Sequence, residues 1–229
     1  MRRQRLSAPD TAIALDGLER RYGDRTALSG VTVSVPAGAT LAVFGSNGAG
    51  KTTLLRVLAA LLRPHGGSAS VLGSTLPDEA WKVRGRVGYL GHESLLYRDL
   101  TVRQNLEFHA RLHGVVGVDD AIAAVGLERR ARDPVRELSR GMVQRAAVAR
   151  ATLHDPAVLL LDEPRANLDP AAADQLEPLI GRISGRTRVL ASHDVEHALS
   201  EADLALGLKA GRQEFAGRAD EAMIRGLYR

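Results

Sequence analysis

Residues 45–52 read Gly-Ser-Asn-Gly-Ala-Gly-Lys-Thr, which fits the spacing G-x-x-x-x-G-K-T. Its chemistry is phosphate binding. Gly45, Gly48 and Gly50 let the backbone amides of Ser46, Asn47, Ala49 and their neighbours turn inward around phosphate oxygens. Lys51 adds a point charge for the β- and γ-phosphates, and the Thr52 hydroxyl is suited to Mg²⁺. Lysine is informative here, because among the 31 basic residues only Lys51, Lys82 and Lys209 are not arginine. Two further polar clusters follow apolar runs. Asp162-Glu163 follows Val158–Leu161, and Ser192-His193-Asp194 follows Thr187–Ala191. An acidic pair at a strand end can hold a cation through Asp162 and direct an attacking water through Glu163. His193 is placed to contact a γ-phosphate, although a single histidine is more often structural.

These groups must be brought together by a fold. The loop lies between an apolar run, Thr40–Phe44, and a stretch of helix formers, Lys51–Leu62, stopped by Pro64 and Gly66-Gly67. That is strand, loop, helix, and a chance glycine-rich turn would not need this context. Ligands of open parallel sheets bind beyond the carboxyl ends of strands, so three such ends can converge on one nucleotide. Earlier, Ile13 and Leu15 alternate, Arg21-Tyr22-Gly23-Asp24 is turn-like, and Val31, Val33 and Val35 alternate, as in short strands. Lys51 and Asp162 are too far apart for one crossover. The gap reads largely as helix over 79–86, 102–113, 118–125 and 140–154, which predicts a helical insertion over 83–155. Residues 11–82 and 156–229 then form the core of one domain, after a basic mobile tail at 1–10.

Composition narrows the remaining classes. The chain has 229 residues, 45% of them hydrophobic, enough for a substantial core. It contains no cysteine, which excludes disulfides, thiol nucleophiles and zinc–cysteine sites and agrees with a cytoplasmic setting. The longest apolar runs, around 57–62 and 157–161, fall short of the roughly 20 residues that span a bilayer, so any membrane contact is expected to be indirect. A net charge of +4 could suit nucleic acid, but only 3% of residues are aromatic, leaving little stacking surface. No nucleic-acid partner is expected.

The segments Gly45–Thr53, Leu138-Ser139-Arg140-Gly141-Met142, Leu159–Pro164, Asn167-Leu168-Asp169 and Ser192-His193-Asp194 occur in the order seen in ATP-binding cassette (ABC) ATPases. The resemblance covers nearly the whole chain. It implies an α/β fold of the ABC type of P-loop NTPase: a mixed sheet core, an N-terminal antiparallel β part and an inserted helical subdomain. It also implies ATP and Mg²⁺ as ligands, with Thr53 beside Thr52 in the phosphate loop and Glu163 and His193 as catalytic base and switch histidine. Tyr22 resembles the aromatic that stacks on adenine. Ser139 and Gly141 would act across a head-to-tail, ATP-dependent homodimer, at the inner face of the membrane, on an integral membrane transporter subunit.

Some positions depart from the family pattern. Arg140 and Met142 replace glycine and glutamine of the signature, and Ala166 replaces a serine. His92 stands where a glutamine usually senses Mg²⁺. The run Tyr89-Leu90-Gly91-His92, followed by Leu100–Leu106, is similar to the haem exporter ATPases of cytochrome c maturation, which implies export of haem. The alternatives are an exporter of a drug, lipid or polysaccharide, and a non-transport cassette working on DNA or ribosomes. The latter usually carry paired cassettes, coiled coils or basic extensions. Kinases and GTPases share only the phosphate loop, and the guanine-reading Asn-Lys-x-Asp is missing here. Leu95, Leu96 and Tyr97 either face a partner or fill the helical subdomain.

Overall fold

Apolar alternation builds one half of the sheet. In β1 (Thr11–Tyr22), Ile13 and Leu15 are buried, and in β2 (Arg25–Pro36) Val31, Val33 and Val35 turn inward while Gly30, Thr32, Ser34 and Pro36 face solvent. The two strands pair antiparallel as far as Tyr22↔Arg25, across the turn at Gly23 and Asp24. The computed structural model describes residues 11–218 and 221–228, so the expected tail at 1–10 lies outside the described residues.

The strands that carry the polar clusters have a different pattern. β3 (Thr40–Phe44) is buried at all five positions and leads into α1 (Lys51–Leu58). Then come β4 (Gly66–Val71), β5 (Ser74–Leu76), α2 (Ala80–Arg84) and β6 (Val87–Leu90). Three helices follow, α3 (Val102–His113), α4 (Val118–Ala124) and α5 (Arg140–Thr152). The chain returns through β7 (Val158–Asp162), α6 (Pro170–Ile180), β8 (Thr187–Ala191), α7 (Val195–Glu201), β9 (Leu204–Lys209), β10 (Arg212–Gly217) and α8 (Glu221–Leu227). β7 and β8 are also buried throughout, as parallel strands covered on both faces must be.

The ten strands of the described residues form one mixed sheet in the order β5-β4-β1-β2-β10-β9-β3-β8-β7-β6. The run from β9 to β6 is parallel, and β1, β2, β4 and β5 are antiparallel. This is the mixed sheet with an N-terminal antiparallel part that the sequence led us to expect. Leu41 and Val43 of β3 pack with Leu54 and Leu58 of α1 on one face; Ala42 and Phe44 pack with α5, α6 and α7 residues on the other.

The helical insertion differs from expectation at its start. Val87–Leu90 pairs in parallel with Val158–Leu161 and forms the edge of the core sheet, so a boundary at 83 cuts off a core strand. A four-residue strand containing Gly88 has little pattern of its own; pairing across 71 positions makes it a strand. α1 is also shorter than the run Lys51–Leu62. Ala60 takes a positive φ of 55°, and the amides of Leu61 and Leu62 fold back on the Arg56 carbonyl. Leu96 is buried, whereas Leu95 and Tyr97 are exposed, so that cluster divides between core and surface.

Candidate active site

The phosphate loop is shaped by its glycines. Gly45 has φ 148°, and a Cβ there would meet the Leu208 carbonyl oxygen at 2.3 Å. Gly50 has φ 112° and would meet the Ala27 oxygen at 2.6 Å. Neither position accommodates a side chain. The turn aims the first amides of α1 toward one point, where the helix dipole favours an anion. The Gly45 amide also donates to the Tyr228 hydroxyl at 3.3 Å.

Lys51 is 7% exposed, and its ammonium donates to the Gly45 and Ser46 carbonyls at 2.6 and 3.2 Å. Burial lowers its pKa below the ordinary value, while the nearby Glu163 and Asp162 carboxylates oppose that shift. The result is a desolvated cation beside two anions, ready for further negative charge.

Three strand ends converge around it. The Thr52 hydroxyl donates to an Asp162 carboxylate oxygen at 2.6 Å. Glu163 follows Asp162 with a positive φ of 52°, and its amide donates to the Ala191 carbonyl at the end of β8 at 2.9 Å. Strain of this kind persists where surrounding contacts impose it. One Glu163 oxygen lies 3.5 Å from the Ser192 hydroxyl; the other, Oε1, is buried with no hydrogen-bond partner, 3.6 Å from Nε2 of His193. It is an acceptor left over for a donor in the cleft.

The cleft has a volume of about 510 Å³ and is lined by Tyr22, Ser46, Asn47, Gly48, Ala49, Gly50, Lys51, Thr52, Thr53, His92, Asp162, Glu163 and His193. Twelve of these thirteen residues thus join a phosphate loop to two distant strand ends and the Tyr22 hairpin, and His92 completes the wall. The Tyr22 ring is 44% exposed and is held from behind by the Arg20 guanidinium, 4.8 Å from its centroid.

A Thr52 hydroxyl and an Asp162 carboxylate are hard oxygen donors, which suits Mg²⁺. Among the described residues no three His, Cys, Asp or Glu side chains form a metal-holding group. Mg²⁺ commonly takes one or two protein oxygens and completes its shell from phosphates and water. An imidazole is a poor match for this ion. His92 is exposed on the cleft wall, and the donor set gives no support to it as a metal ligand.

Ser139 and Gly141 stand apart from this cleft. Ser139 is exposed at the N-cap of α5, where its oxygen accepts the Met142 amide at 3.2 Å. A Cβ on Gly141 would come within 2.9 Å of the Asn167 oxygen, so the α5 start lies against the loop before Asp169. Gln144 links the same helix to the strand-end loop, donating to the Pro164 carbonyl at 2.9 Å.

The sequence reading missed Arg25, which also lines the cleft. Its guanidinium would lie 3.3 Å from a Cβ on Gly48. Only the hairpin pairing of Arg25 with Tyr22 reveals the connection.

Known proteins resemble this chain. The ABC transporter family model matches residues 28–166. The daunorubicin resistance ATP-binding protein of Streptomyces coeruleorubidus is 41% identical over 222 residues, covering 93% of this chain and 70% of the relative. Nod factor export ATP-binding protein I of Ralstonia nicotianae is 36% identical over 219 residues, covering 91% and 68%. Among solved structures, an ATP-binding subunit of an ABC transporter aligns with a TM-score of 0.84 at 28% identity, covering 95% of this chain and 94% of that one. A dimeric bacterial ABC transporter cassette aligns with a TM-score of 0.81 at 25% identity, covering 91% and 100%.

Proposed function

We propose, since this chain belongs to the ABC transporter family of ATP-binding proteins, that it is the ATP-hydrolysing subunit of an exporter whose membrane-spanning part is a separate protein. The observation that carries the reading is the convergence of Lys51, Thr52, Asp162, Glu163 and His193 on one cleft at the carboxyl ends of parallel strands. Hydrolysis of ATP coupled to transport is the activity of the family.

In this reading the loop amides and Lys51 hold the β- and γ-phosphates of ATP, and Tyr22 stacks on adenine. Thr52 and Asp162 hold Mg²⁺, which when bound neutralises charge on the β- and γ-phosphate oxygens. Glu163 orients a water and accepts its proton as the water oxygen bonds to the γ-phosphorus. The bond from that phosphorus to the bridging oxygen breaks, and ADP leaves with the electron pair. His193, 3.6 Å from Glu163, steadies the γ-phosphate charge from beside it. Positioning and charge neutralisation are what this reaction chiefly requires.

The dimeric cassette among the similar structures supports a homodimer. The family resemblance adds that it is ATP-dependent, with Ser139 and Gly141 of one copy facing the γ-phosphate bound by the other. That arrangement gives a purpose to an exposed serine and a close-packed glycine outside the chain's own cleft. Among the described residues no helix is long and apolar enough to cross a membrane. We place the chain at the cytoplasmic face of the membrane, held there by its partner.

The cargo reading changes. The expectation of haem export for cytochrome c maturation gives way to its alternative, an exporter of another substrate, because the relatives described above are named for daunorubicin resistance and Nod factor export. Those names favour a drug, lipid or polysaccharide cargo. The test is a pull-down of the tagged full chain from detergent-solubilised native membranes, followed by ATP-driven uptake of candidate cargo into inverted vesicles. A polytopic membrane partner and ATP-dependent uptake are expected. Recovery of ribosomes or DNA without a membrane partner would overturn the exporter reading.

A further inference from the structure

β8 carries an arginine in an otherwise largely apolar strand. Arg188 is 1% exposed, between Thr40 of β3 and Leu159 of β7 in the sheet. Its Nε and Nη2 donate to the Thr40 hydroxyl at 3.1 and 2.9 Å. Its Nη1 donates to the Ile180 carbonyl at 3.0 Å and to Glu201. Glu201 is itself buried, and its other oxygen lies 2.6 Å from Nε2 of His197.

Burying a charge is costly, and an apolar pair of similar volume often holds a core at least as well. Stability alone therefore does not explain this pair. What it adds is direction, because β3, β8 and α7 lead to the nucleotide cleft and α6 leads to the loop before Asp169. Thr40 opens β3, whose other end enters the phosphate loop. Ile180 closes α6, which starts from the Asp169 cap. Glu201 closes α7, whose N-cap Asp194 directly follows His193. β8 ends at Ala191, which holds the Glu163 amide. These elements are only five to eleven residues long, so a tilt at their far ends reaches the cleft with little loss.

We propose that the Arg188–Glu201–His197 chain is a positioning network for ATP hydrolysis. It clamps the far end of α7 and thereby holds His193 against Glu163. None of the three residues lines the cleft; they act through His193 and Glu163. The proposal rests on the reading of those two residues given above.

The test compares full-length wild type with Arg188→Met/Glu201→Leu, which removes both buried charges together. Measured are kcat and KM for ATP, ATP affinity and Tm. A positioning network predicts a kcat lower by about tenfold or more, with KM and affinity within about twofold, since small misplacements remote from the chemistry reduce rate rather than binding. If the variant only melts earlier and keeps wild-type kcat per folded molecule, the proposal is overturned. A second pair guards against misfolding of the first. His197→Ala should lower kcat, and His197→Gln, which offers an N–H to Glu201, should recover several-fold of that loss. Equal, wild-type kcat in both would also overturn it. Wild-type protein with no ATPase activity would instead remove the functional reading on which the network depends.

Discussion

The Thr52 hydroxyl and the Asp162 carboxylate meet at 2.6 Å although 110 residues separate them. One lies in the first turn of α1 and the other ends β7, so the meeting depends on β3 and β7 being held in register through β8. It is also the part of the cleft best suited to Mg²⁺ among its oxygen donors.

Asp162→Asn keeps the shape and the hydrogen bond from Thr52 but removes the charge. We expect Mg²⁺-dependent hydrolysis to fall by about a hundredfold or more, while the Tm changes little. Steady-state ATPase assays across a Mg²⁺ titration, with calorimetry on the same samples, check this. An unchanged response to Mg²⁺ would remove Asp162 from the metal site.

Ser139 offers a way to separate folding from dimer function. Its oxygen caps α5, and aspartate caps a helix as well as serine does. Ser139→Asp should therefore leave the monomer folded and able to bind ATP, yet set a carboxylate against the γ-phosphate held by the second copy. Sedimentation velocity with ATP should find the variant monomeric under conditions where Glu163→Gln dimerises, and ATPase activity should fall about tenfold or more. ATP-driven dimerisation equal to that of the parent would refute the placement of Ser139 in trans.

Acid should loosen the packing of α3 and α5. Burial, with repulsion from Arg150 and His113, lowers the pKa of His109 to about 4. Burial, with repulsion from His113 and Arg150, also lowers that of His154 to about 4, against opposing effects of the Val87 carbonyl and Asp155. The ordinary value is 6.5, so between these limits the unfolded chain binds more protons than the folded one. Stability is thus fully present above pH 6.5 and declines as the pH falls toward 4. Tm measured at pH 7 and pH 4.5 should reveal a drop that shrinks in His109→Leu. An identical drop in that variant would show that the His109 site does not contribute.

Much of the site was legible because its chemistry is local in sequence. The phosphate loop occupies consecutive residues, and β3 and β8 have the expected bounds Thr40–Phe44 and Thr187–Ala191, since continuous apolar runs are what doubly covered strands require. α3 was equally clear at Val102–His113, where Thr101 and Gln104 form a reciprocal capping box and Gly114 ends the helix. Long-range pairing was not legible. β6 depends on β7, Arg25 reaches the cleft only through the Tyr22 hairpin, and the partners of Arg188 come from three other elements. Nor did local sequence mark the end of α1, because Ala59, Ala60, Leu61 and Leu62 are all good helix formers.

The most direct test of the account is single-turnover hydrolysis of ATP by Glu163→Gln beside wild type, with ATP binding measured on the same protein. The account predicts that the variant binds ATP normally and hydrolyses it at least about a hundredfold more slowly, because the amide cannot accept the proton of the attacking water. Normal turnover by a folded Glu163→Gln protein would contradict the assignment of Glu163 and, with it, the proposed chemistry of the cleft.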